Sequence, residues 1–151
     1  MNGVVLDSGV LIASVFPETL TSQAKKLIQQ LLTNKNTFHA PVLLRYEIVA
    51  VCRKAVYQGR VIPEESSVAC DHLLSFPIEL YFDADLLKRG YELATKYSRP
   101  TAYDAQYLAL AERLDYPFWT VDERLFNSVK AQFPNIHWLG NDNSSSFILE
   151  N

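Results

Sequence analysis

Two short apolar runs in this chain end on an aspartate. "VVL", Val4 to Leu6, runs into Asp7, and "FWTV", Phe118 to Val121, runs into Asp122. Runs of this length without polar alternation suit strands that are covered on both faces. Such strands belong to parallel sheets layered between helices. Ligands of such sheets bind beyond the carboxyl ends of the strands, where both acids stand.

The intervening segments fit that frame. Thr21 to Leu32 places Ala24, Leu27, Ile28, Leu31 and Leu32 on one helical face, with Lys25, Lys26, Gln29 and Gln30 outside. Thr37 to Ala40 reads as a strand. Pro41 stands where helices begin, Val42 to Tyr57 continues as a helix, and Gly59 ends it. Pro63 opens a helix to about Ser75, with Glu64 and Glu65 where the helix dipole favours acids. Ile78 to Phe82 reads as a strand, and Asp83 as the cap of a helix over Ala84 to Tyr97. Pro100 and Thr101 open the helix that carries "YDAQYLALAERL". Pro117 to Val121 is a buried strand, Glu123 to Phe133 a short helix and Ile136 to Leu139 a last strand. The expectation is an α/β three-layer sandwich. Its central, mostly parallel sheet has four to five strands flanked by helices. Residues 1–140 form one domain, and 141–151 a polar tail.

A chain of 151 residues suits one domain and buries roughly 70% of its unfolded surface without staples. A net charge of −3 and a pI near 5.6 argue against a generic polyanion binder with a basic coat. Cys52 and Cys70 lack metal-type spacing and read as reduced thiols of a cytoplasmic protein. The N-terminus has no basic n-region, and no apolar run is long enough to span a bilayer.

Two further acids sit at the edges of apolar helix faces. Glu47 is flanked by Leu43, Leu44, Ala50 and Val51, and Asp104 by Tyr107, Leu108 and Ala111. Each of the four acids has an ordinary reading. Asp7 and Asp122 could cap the turns that follow them, Asp104 could complete a capping box with Thr101, and Glu47 could snorkel. Gathered in one place, four carboxylates repel, and some must take up protons unless a cation intervenes. Mg²⁺ and Mn²⁺ prefer such oxygen donors. Two ions about 4 Å apart could clamp a phosphoryl displacement, or one ion could serve with an acid-assisted water.

The blocks "VVLDSGVLIA", "APVLLRYEIVAV", "TAYDAQYLALAE" and "TVDERLFN" resemble the four signature blocks of PIN domains, above all the short VapC-like toxins of toxin–antitoxin pairs. The resemblance runs over roughly residues 3–140. It implies a parallel sheet, a Mg²⁺ or Mn²⁺ site and ribonuclease activity. The family's acids fall on Asp7, Glu47, Asp104 and Asp122. Asp7, Asp104 and Asp122 would hold the metal directly; Glu47 would bind it or position the attacking water. Ser8 and Thr120 match hydroxyl positions that orient carboxylates or the metal water. The resemblance also implies a homodimer and a small antitoxin as partner. Gly9 departs from the usual small polar or branched residue, which could loosen the turn.

RNA would need cations at the rim. The candidates are Arg45, Arg53, Lys54, Arg60, Arg99 and Arg124, with Lys54 two turns from Glu47 on nearly the same face. His39, His72 and His137 are scattered over different elements and read as structural or surface residues, not as ligands or general acids. The leading expectation is a metal-dependent endoribonuclease, the toxin of a type II pair, leaving a 5′-phosphate and a 3′-hydroxyl. The alternatives are a solitary RNA-processing nuclease of the same fold and a non-catalytic RNA- or protein-binding scaffold. An aspartyl-nucleophile phosphatase would need a second acid where Gly9 stands, and no glycine-rich loop ends in Lys-Ser/Thr.

Overall fold

The computed structural model describes residues 2–141. Five strands form one sheet: β1 (Gly3–Leu6), β2 (Thr37–Pro41), β3 (Ile78–Tyr81), β4 (Phe118–Thr120) and β5 (Ile136–Trp138). Their order across the sheet is β3-β2-β1-β4-β5, and every neighbouring pair is parallel. All four residues of β1 and all three of β4 are buried, as runs without alternation require.

Among the described residues, seven helices fill the connections: α1 (Ser8–Ala13), α2 (Thr21–Thr33), α3 (Leu43–Tyr57), α4 (Pro63–Leu74), α5 (Ala84–Lys96), α6 (Tyr103–Leu114) and α7 (Glu123–Val129). Helix α6 is the most deeply set. Ala105 to Ala111 are buried without a break, and the helix packs against β1, β2 and β4 as well as α5. It is apolar nearly all round because it faces the sheet on one side and α5 on the other.

The sequence missed α1. Its apolar residues, Val10 to Ala13, are all buried, so no polar face marked a helix. Pro41 is the last residue of β2 rather than the first of a helix, and α3 begins two residues later. Gly59, at φ 72°, follows α3 in the left-handed conformation that glycine adopts at least cost.

The order of the strands locates the crevice. From β1 the chain steps outward to β2 and β3, then returns through α5 and α6 to the opposite side of β1, where it lays down β4 and β5. The strand order reverses between β1 and β4, so the switch point opens beyond the carboxyl ends of these two strands. Asp7 and Asp122 follow those ends, one and two residues on.

Candidate active site

Asp7 and Asp122 are built alike. Each caps the helix that follows with one carboxylate oxygen: Asp7 Oδ1 accepts from Val10 N at 2.9 Å, and Asp122 Oδ1 from Leu125 N at 3.1 Å. Their ordinary role as caps is therefore real, and it leaves the second oxygen of each for other partners. Asp7 Oδ2 accepts from the Thr120 hydroxyl at 2.5 Å and from Val121 N at 3.3 Å. Thr120 Oγ1 in turn accepts from Asp122 N at 3.0 Å. One buried hydroxyl thus ties the two aspartates across the β1–β4 seam.

Glu47 reaches the crevice from α3. It accepts from the Tyr107 hydroxyl of α6 at 2.6 Å, and the Ser8 hydroxyl is a second donor. Tyr107 is buried and stacks over Phe118 of β4, which fixes the hydroxyl in place. Asp104 stands in the first turn of α6. The residue before this helix is Ala102 and no side chain caps it, so Thr101 is not the cap and there is no capping box. The Asp104 carboxylate is turned instead to Arg99, whose Nη2 lies 3.3 Å from Asp104 Oδ2 and 3.6 Å from Asp122 Oδ2.

The electrostatics follow from this crowding. Asp7 keeps some exposed surface, but its carboxylate is enclosed. Burial pushes its pKa up to about 7, against the hydrogen bonds from Thr120, Val10 and Val121, and the charge of Glu47 pushes the same way. Burial also raises the pKa of Glu47, and the neighbouring Asp104 adds to the rise while Tyr107 and Ser8 oppose it. Burial and the adjacent Glu47 carboxylate hold the Tyr107 phenol far above its usual value, so it stays protonated as the donor to Glu47.

Asp7, Glu47, Asp104 and Asp122 therefore occupy one end of the sheet: Thr120 joins Asp7 to Asp122, Arg99 joins Asp104 to Asp122, and Tyr107 holds Glu47 where its charge acts on Asp7 and that of Asp104 acts on it. Their donor chemistry suits a hard divalent cation: all oxygen and carboxylate, with Asp7 and Glu47 costly to ionise in their buried places. Among the described residues, however, no three His, Cys, Asp or Glu side chains are set to hold a metal ion. The cation that spans Asp104 and Asp122 is the Arg99 guanidinium.

The expected rim cations differ in their surroundings. Arg45, Lys54 and Arg124 are exposed. Arg53 lies over the Tyr57 ring, and Arg60 donates to Gln58. Arg99 is not a rim residue in this arrangement, since only 13% of its side chain is exposed. Sequence reasoning missed Tyr107, whose contact with Glu47 spans 60 positions. The available signal was a tyrosine one turn after Asp104 on the face already assigned to the site.

Comparison with known proteins agrees with this architecture. The PIN domain family model matches residues 4–131. Ribonuclease VapC3 of Pyrobaculum aerophilum is 29% identical over 130 residues, which cover 85% of this chain and 95% of the relative. Ribonuclease VapC12 of Mycobacterium tuberculosis is 30% identical over 125 residues, 83% of this chain and 91% of the relative. Among solved structures, the Pyrobaculum aerophilum protein PAE2754 aligns with a TM-score of 0.64 at 18% identity, over 99% of this chain and 96% of its own. A chain of a toxin–antitoxin complex from Klebsiella pneumoniae aligns with a TM-score of 0.59 at 19% identity, over 90% and 97%. The matched span begins in β1 and runs past the end of α7, so the chain belongs to the PIN-domain family.

Proposed function

We propose that this protein is a divalent-metal-dependent endoribonuclease and the toxin of a type II toxin–antitoxin pair. The observation that carries the reading is the convergence of four carboxylates, from four separate elements, on the switch point of the sheet. Relatives named as VapC ribonucleases match over most of their own length, which supports RNA as substrate. The toxin–antitoxin complex among the structural neighbours supports a small antitoxin partner. Residues 1–140 act as the nuclease domain; the tail expected over 141–151 lies, beyond Asn141, outside the described residues. The protein works in the cytoplasm as a homodimer; no helix among the described residues is long and apolar enough to cross a membrane.

Asp7, Asp104 and Asp122 would hold Mg²⁺ or Mn²⁺, and Glu47 would bind it or orient the attacking water. A bound ion supplies a more acidic water and neutralises charge on the phosphate. The protein's own groups do the rest. Thr120 holds Asp7, and Tyr107 with Ser8 holds Glu47, so each carboxylate keeps its direction when the cation arrives. Lys54, Arg53, Arg60 and Arg124 contact RNA phosphates from the rim.

The test is incubation with total RNA plus Mg²⁺ or Mn²⁺, with EDTA and Asp7→Asn as controls and the cut ends mapped. Metal-dependent cuts with 5′-phosphate ends, lost in Asp7→Asn, are expected. Cleavage by the variant at the wild-type rate would remove Asp7 from the chemistry. Arg99 between Asp104 and Asp122 favours one other reading, a scaffold of the same fold without turnover. RNA binding with no cleavage under any metal would select it.

A further inference from the structure

We infer that Arg99 is an exchangeable counter-cation: its guanidinium holds Asp104 and Asp122 together in the metal-free protein and gives up that place when a divalent ion binds. The inference rests on the metal-dependent reading above and adds a positioning residue to it.

The contact has the marks of a stand-in. Two other arginines among the described residues each grip one carboxylate through the full fork, although Arg89 also meets Glu92 through one nitrogen at 3.8 Å. Arg113 meets Asp83 at 2.7 and 2.9 Å, and Arg89 meets Glu112 at 2.7 and 2.9 Å. Those are the distances of charge-assisted, bidentate bonds. Arg99 instead offers one nitrogen to two carboxylates at 3.3 and 3.6 Å, and its Nε is buried without a partner. A buried donor left unmade is costly, so the guanidinium bridges the two acids without being fully fitted to its place.

The base of the side chain is fixed more firmly than its head. At the end of α5, Ser98 N donates to Thr95 O at 3.2 Å and Arg99 N to Ala94 O at 2.8 Å, the paired bonds of a Schellman cap. Ser98 takes φ 52° to close it, a conformation that serine adopts at a cost. Pro100 follows and restricts the backbone of Arg99 as well. The cap therefore aims Arg99 at the crevice.

The carboxylates remain reachable. The Asp104 and Asp122 side chains are 41% and 38% exposed, against 13% for Arg99. A hydrated ion can approach them from the solvent side without opening the core.

The experiment is a Mn²⁺ titration of the metal-free full chain by calorimetry, for wild type, Arg99→Gln and Arg99→Lys. Lysine keeps the charge, but its ammonium ends one bond short of the guanidinium nitrogens and cannot bridge both acids. Displacement predicts that both variants bind Mn²⁺ at least tenfold more tightly than wild type. It also predicts that Arg99→Gln lowers the melting temperature in EDTA, while at saturating Mn²⁺ it melts with wild type. Tighter binding by Arg99→Gln alone would reduce the effect to general charge repulsion and overturn the inference. Equal or weaker binding by both variants would overturn it too, with the metal centre intact. If wild type and both variants all fail to bind Mn²⁺, the metal-dependent reading falls and this one with it.

Discussion

The Tyr107 hydroxyl donates to Glu47 Oε1 at 2.6 Å from a ring stacked on Phe118. Glu47 is thereby fixed by a residue of the central helix and not by its own. Tyr107→Phe removes the donor and little else. It is expected to cost about 1 kcal/mol of stability, the usual net worth of such a bond. Cleavage should fall roughly tenfold or more, as is typical when a group orienting a metal-site carboxylate is lost. A rate series over pH checks the cause, because Glu47 without its donor should titrate higher. A wild-type rate and pH profile would remove Tyr107 from the site.

Thr120 is buried and serves both aspartates, donating to Asp7 and accepting from Asp122 N. Thr120→Val keeps the shape and deletes the hydroxyl. Asp7 then loses its strongest stabilising bond, so its pKa should rise beyond about 7. Mn²⁺ affinity at neutral pH should drop roughly tenfold to a hundredfold, read by calorimetry. Thr120→Ser, which keeps the hydroxyl, should restore most of it.

The pH dependence of the metal-free protein carries the sign of the Asp7 shift. Its pKa is raised from 3.8 to about 7 on folding, so between those values the folded chain holds a proton that the unfolded chain has released. Stability must then fall as pH rises through that window. The Asp7 share is on the order of 4 kcal/mol, and Glu47, shifted upward as well, acts in the same direction. In EDTA the protein should melt higher at pH 5 than at pH 7.5, and Asp7→Asn should flatten most of that slope. Saturating Mn²⁺ should flatten it as well. A melting temperature that does not change over this range in wild type would contradict the burial of Asp7.

Gly9 is held by close approach. A Cβ there would run into the Val121 side chain and stand 3.3 Å from Asp7 Oδ1. Glycine lets α1 press against the segment that leads to Asp122. Gly9→Ala is expected to destabilise by about 1–3 kcal/mol, the usual cost of overpacking, despite the better helix propensity of alanine. Chemical denaturation measures it. A gain in stability would mean that Val121 yields freely.

What could be read beforehand was whatever carries a period or an end. The strands at Val4 and Phe118, the spacing of α2, the Asp83 cap and the glycine after α3 are local signals, and the structure repeats them. So are the positions of the four acids, each at the edge of an apolar run. Two kinds of feature were not legible. Burial on every side erased the pattern of α1, and Thr101 looked like a cap although the helix begins two residues later without one. Partnership between distant side chains was the other. Nothing local tells that Tyr107 faces Glu47, or that Arg99 turns inward while Arg124 stays in solvent.

The divided duty of Asp7 and Asp122 has an evolutionary reach. Each caps a helix with one oxygen and turns the other to a partner in the site, Thr120 for Asp7 and Arg99 for Asp122. A descendant that had stopped cutting RNA would still fold better with both than with alanine, because losing such a cap costs about 1 kcal/mol. Intact aspartates at these two places are therefore weak testimony that a related chain is alive. Glu47 and Asp104 cap nothing, and they are the better witnesses.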